Sequence, residues 1–171
     1  VEADLAVLLT YQYETGNWPS SIPPEKDRLV QVCHGAAGVV NSLVSIKKYF
    51  PNLEEKIAKA ITKGRECVKE RGLLTKGLAS AMVCFRATLA ILVKHDIPPG
   101  ITGNALALED KDFEHFLTYT TGHEMKSMEK DGMLEKSSCP ESLFGGEAGR
   151  AWSWAVADKN LDKRILGYND L

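Results

Sequence analysis

Three short glycine signatures limit what this chain can fold into: Gly35-Ala36-Ala37-Gly38, Gly100-Ile101-Thr102-Gly103 and Gly146-Glu147-Ala148-Gly149. Each opens an apolar stretch of helical character. Their first glycines stand 65 and 46 residues apart. Setting aside the apolar segment at about 77–97 brings the longer gap close to the shorter. A G-x-x-G start recurring at that period before a helix marks a repeat of helical hairpins. No segment sustains the apolar–polar alternation of a strand. The fold expected is therefore all-α, one domain over residues 1–171 with an insertion at about 77–97.

The helices follow from apolar spacing and breakers. Residues 2–13 read as the end of a helix, and Gly16 to Pro24 as a loop of breakers. A helix over 36–50 is stopped by Pro51. In Leu53–Arg71, Ile57, Ala60, Ile61, Gly64, Cys67 and Val68 recur at i, i+3, i+4 spacing. Asn52 is placed to cap its start and Gly72 its end. Further helices are expected at 78–94, from about Asn104, at about 110–130 and at 147–159.

Basic and acidic residues nearly balance, 21 against 23. No basic patch points to nucleic acid, and no like-charge run to a membrane surface. The apolar window Leu78–Val93 carries Arg86 and is too short to span a bilayer. Cys33, Cys67, Cys84 and Cys139 are too scattered for a disulfide framework, so a reducing, cytoplasmic setting is expected. The chain begins at Val1 and enters directly on an apolar run, as a fragment would.

Chemistry could reside at Cys33-His34-Gly35, a loop mouth just before a helix. A thiolate is a good zinc ligand, and an imidazole serves as ligand or proton donor. One Cys-His pair is not a zinc site, and on spacing alone the pair reads first as a small buried hydrophobe, Cys33, beside a hydrogen-bonded loop residue, His34. Cys67 and Cys84 belong to apolar faces. Cys139, in a loop before the third signature, reaches a metal only if the hairpins close on one axis. His95, His115 and His123 read as surface groups, and Phe113, Phe116 and Tyr119 as core. Trp152 and Trp154 cannot share a direction, so at least one packs on a neighbour. Glu147 suits the first turn of a helix without any catalytic role.

Longer strings carry a resemblance. Gly16-Asn17-Trp18-Pro19, Cys33-His34-Gly35-Ala36-Ala37-Gly38, Gly72-Leu73-Leu74-Thr75-Lys76, Gly100-Ile101-Thr102-Gly103-Asn104 and Ser142-Leu143-Phe144-Gly145-Gly146-Glu147-Ala148-Gly149 resemble, in order, the motifs of the lanthionine synthetase C-like (LanC-like) family. Gly146 to Trp152 looks like its fungal members. The resemblance implies an (α/α) toroid of helical hairpins, of which this chain is the C-terminal part. It implies an open helical face prone to self-association. It implies zinc-dependent addition of a thiol, from glutathione or from a peptide, to a dehydroamino acid.

In the family a zinc ion is held by the first-motif cysteine, matched here by Cys33, and by adjacent Cys and His of the second motif. Aligned on Gly100 those two positions are Pro98 and Pro99; counted from Lys76 they are Ala81 and Met82. None can bind zinc. Cys139 is the other candidate ligand, His34 the candidate proton donor, and Lys76 lines up with a lysine that contacts glutathione in eukaryotic members. The expectation is a zinc-deficient LanC-like protein without efficient catalysis. The rivals are an active zinc-dependent transferase and a non-catalytic module binding glutathione or a protein.

Overall fold

The computed structural model describes residues 1–24, 26–27, 30–73, 100–131, 141–143 and 146–166. The expected helix at 78–94, the insertion at about 77–97, Lys76, Cys84, His95, Pro98, Pro99 and Cys139 lie outside the described residues. Among the described residues seven α-helices form: α1 (Glu2–Thr10), α2 (Ala36–Ile46), α3 (Glu54–Arg71), α4 (Ile101–Leu106), α5 (Asp110–Thr118), α6 (Gly122–Lys130) and α7 (Glu147–Lys159). No strand occurs among the described residues, so the chain is all-α.

The stripe on α3 is buried as its spacing dictates: Ile57, Ala60, Ile61, Gly64, Cys67 and Val68 all face inward. Complete burial of an isoleucine side chain contributes roughly 1.5–3 kcal/mol. This face packs against α2, which buries Ala36, Ala37, Val40 and Leu43. The approach is close because position 64 lacks a side chain. A Cβ there would stand 2.6 Å from Val40 Cγ2 and 3.1 Å from Trp18 Cζ3.

Helix α4 is buried along its whole length and packs on α2, α5 and α7. A six-residue helix is too short to hold itself in water. Here Asn104, fully buried, ties it to two other segments, its Nδ2 donating to Val30 O and Gly72 O at 3.1 Å each. Phe113 and Phe116 of α5 are core residues, while Tyr119 is half-buried.

Several boundaries differ from the sequence expectation. Helix α1 ends at Thr10, and α2 at Ile46, after which 3-10 turns at Lys47–Tyr49 and Pro51–Leu53 lead into α3. Asn52 does not cap α3; its Nδ2 donates to Glu2 Oε1 at 3.2 Å. Gly72 ends α3 without a left-handed turn, at φ −68°. A side chain is excluded there by packing, since a Cβ would lie 2.5 Å from Val68 O. The single helix expected at 110–130 is two. The chain tightens at Tyr119 and Thr120, whose N–H groups donate to Phe116 O and Leu117 O. Thr120 is buried and its Oγ1 accepts from Trp154 Nε1 at 3.0 Å, which fixes the corner. At α7 the expected 147–159 is met, and Asn160 closes it in the left-handed conformation, φ +49°.

Candidate functional site

The candidate site is built on the N-terminus of α2. Gly35 precedes the helix at φ +109°, ψ −159°, a backbone open to glycine and costly for other residues. It offers no side chain to cap the helix. Asn17 does so from across the structure, its Oδ1 accepting from Ala36 N–H at 2.7 Å. Asn17 is fully buried.

Gly16 allows Asn17 to sit there. It adopts φ +88°, and a Cβ would fall 2.2 Å from Lys63 O. Gln12 Nε2 donates to Gly16 O and to Ala60 O, both at 3.0 Å. Trp18 Nε1 donates to Leu8 O at 3.1 Å. The Gly16-Asn17-Trp18 loop is thus pinned to α1 and α3 before it reaches α2.

Asp27 orients Asn17 in turn. Its carboxylate accepts from Asn17 Nδ2 at 2.7 Å, from Thr15 Oγ1 at 2.5 Å and from Arg71 Nη1 at 2.9 and 3.0 Å. Arg71 Nη2 also donates to Asp27 O at 3.2 Å. Burial pushes the Asp27 pKa up, but the hydrogen bonds from Thr15, Asn17 and Arg71, with the Arg71 charge, outweigh it and hold the carboxyl below its ordinary value. A four-residue framework therefore runs from the end of α3 to the start of α2.

On this framework Cys33 and His34 are half-buried and Gly35 is buried. Gln31 N–H donates to His34 O at 2.9 Å and closes the loop. Cys33 Sγ donates to Gln31 Oε1 at 3.3 Å. Helix α2 can lie this close to the loop because Gly38 has no Cβ; one would meet Val32 O at 1.9 Å. Cys33 and His34 line a cavity of about 300 Å³ together with Leu8, Pro19, Leu43 and Ile46. A thiol and an imidazole thus line a recess of mixed character, whose walls also carry the hydroxyls of Ser20 and Ser42.

The other candidates fall elsewhere. Cys67 is in the core, and burial raises its thiol pKa. His115 and His123 are exposed, with His115 edge-on to Tyr119 at 5.5 Å. Glu147 is held by Arg150, whose Nε lies 2.6 Å from Glu147 Oε2. Trp152 donates from Nε1 to Arg164 O at 2.7 Å, tying down the segment that follows α7, and Trp154 donates to Thr120 at the corner between α5 and α6. Sequence reasoning overlooked the roles of Asp27 and Arg71. Gly16-Asn17 was the visible signal of the loop, but partners 44 residues apart leave no local pattern.

Zinc requires three or four donors. Cys33 and His34 supply two at most, and Cys33 already engages Gln31. Among the described residues, no three His, Cys, Asp or Glu side chains gather to hold a metal ion. The described residues therefore do not by themselves fit a zinc ion. Among those residues, too, no helix is long and apolar enough to cross a membrane.

The sequence model of the family described as lanthionine synthetase C-like protein matches residues 3–84. That span contains the Asn17–Asp27–Arg71 framework and the Cys33-His34-Gly35 loop. The whole chain is similar to LanC-like protein GCL1 of Arabidopsis thaliana, with 27% identity over 171 residues. The match covers 98% of this chain and 37% of that protein, so the chain spans little more than a third of its relative's length.

Proposed function

We propose that this chain is the C-terminal segment of a LanC-like toroid, one that keeps the family's thiol-presenting loop without completing a zinc site from its own residues. The observation that carries this reading is the loop itself. Asn17 caps α2 from the Gly16-Asn17-Trp18 motif, and Cys33 and His34 stand side by side in the lining of one recess. Two further features support the zinc deficiency. The positions of the family's other two ligands are Pro98 and Pro99 when aligned on Gly100, or Ala81 and Met82 when counted from Lys76, and none of these side chains binds zinc. Cys33 is paired with an amide, Gln31, in place of a third ligand.

In the family, zinc converts a bound thiol into a thiolate at neutral pH. Without it, addition to a dehydroamino acid is slow, and the segment retains recognition more than turnover. The second reading is an active transferase that adds glutathione or a peptide thiol to dehydroamino acids. It draws on the adjacency of Cys33 and His34, with His34 as proton donor, Cys139 as a further ligand and Lys76 holding a substrate carboxylate.

One experiment separates the two. The chain is purified without chelators, zinc is counted per chain by plasma mass spectrometry, and glutathione adducts on a dehydroalanine peptide are followed. The proposal expects far less than one zinc and a rate equal to the spontaneous one. A full zinc equivalent, with turnover abolished by Cys33→Ala, would replace it with the transferase.

A further inference from the structure

A second cavity lies on a different face of α2 from Cys33 and His34. Its volume is about 560 Å³, within the range of small-molecule sites. Three separate parts of the chain wall it. Helix α2 and the following 3-10 turn supply Val44 and Lys48; Arg65 of α3 and Asp110 of α5 form the second wall; residues 160–164 form the third.

The third wall is fixed in place. Asn160 turns the chain out of α7 in the left-handed conformation, and Leu161 N–H donates to Val156 O at 3.1 Å. Trp152 Nε1 then holds Arg164 O at 2.7 Å, and Ile165 is fully buried. The cavity is therefore preformed.

Its charges are unevenly matched. Arg65 is paired with Glu109 at 2.6 Å, and Arg164 with Asp162 at 2.6 Å. Lys48 and Lys163 have no ion pair among the described residues; each rests its ammonium 4.9 Å from an aromatic ring centre, Tyr49 and Phe113 respectively. Lys163 is half-buried. Apart from these, Asp110 is the one lining carboxylate outside an ion pair among the described residues. Val44 and Leu161, 47% and 42% exposed, offer apolar surface on the wall.

We infer that this cavity binds a compact organic anion, its phosphoryl or carboxylate group between Lys48 and Lys163 and its apolar body against Val44 and Leu161. Burial, joined by the nearby charge of Arg65, holds the Lys163 pKa below its ordinary value, while the charges of Asp110, Glu109 and Glu114 oppose that shift. Asp110 opposes the ligand and limits its affinity.

The test is a 15N NMR titration of the purified chain with inorganic phosphate and, separately, with succinate, against sodium chloride of equal ionic strength. Saturable shifts at Lys48, Lys163 and Leu161 are expected with at least one of the two anions and not with chloride; the tighter binder identifies the group recognised. Lys163→Gln is expected to weaken binding about tenfold and Lys163→Arg to retain it, while Asp110→Asn tightens it about fivefold, the effect of removing one screened unit charge. Melting curves confirm that each variant folds. Shifts that do not saturate, that chloride reproduces, or that Lys163→Gln leaves unchanged overturn the inference.

Discussion

Asp27→Asn tests whether the α2 start is held from the end of α3. The carboxylate takes three side-chain donors, and both it and Arg71 are only 22% exposed. An asparagine keeps one acceptor oxygen and turns an amide N–H₂ toward groups that are themselves donors. At least one hydrogen bond to a charged group is lost, at about 1.5–3 kcal/mol. Arg71 also loses its counter-charge, although its remaining exposure keeps this below the roughly 3–5 kcal/mol of a fully buried pair. The expected destabilisation is about 2–3 kcal/mol at pH 7, read from urea unfolding by circular dichroism at 222 nm.

The pH dependence carries its own sign. The folded Asp27 pKa is lowered from 3.8. Its contribution is therefore complete above the unfolded value and is lost as pH falls through the lower folded value. The gap between wild type and Asp27→Asn is expected to be constant from pH 7 to about pH 5 and to narrow below pH 4. A gap under about 0.5 kcal/mol at neutral pH, or one that widens in acid, would refute the framework as described.

Three other outcomes follow from the packing. Gly38→Ala places a Cβ 1.9 Å from Val32 O and is expected to cost about 3 kcal/mol, seen as a lowered melting temperature. Phe116→Ala, at a side chain 1% exposed, is expected to cost about 3–5 kcal/mol in urea unfolding. Under native conditions at pH 8, iodoacetamide should modify Cys33 well before Cys67, whose burial raises its thiol pKa; peptide mass mapping showing equal rates would contradict the core placement of Cys67.

The elements legible in the sequence were those written in local pattern. The α3 stripe and the α7 boundaries follow from spacing and from the glycine signature. What could not be read locally was set by distant partners. Thr120 looks like an ordinary helix residue until Trp154, 34 residues on, bonds to its hydroxyl at the corner. Asn52 looks like a cap until Glu2 takes its amide. At the site, the adjacency of Cys33 and His34 was evident from their order. The support beneath them was not, because Asp27 and Arg71 are unremarkable charged residues in sequence and meet only when α3 is complete.

The remote capping of α2 has a consequence for the order of folding. A helix capped by its own preceding residue can begin locally, within the time of a single turn. Here the first turn of α2 waits for a residue 19 positions earlier, itself oriented by a side chain 44 residues beyond Asp27. Loop closures of that length precede the reward they bring. Helix α3 can form early on its own spacing, whereas the Cys33-His34-Gly35 loop is expected to take shape only once the chain has closed around it, and to be among the first parts lost when the Arg71–Asp27 pair is broken.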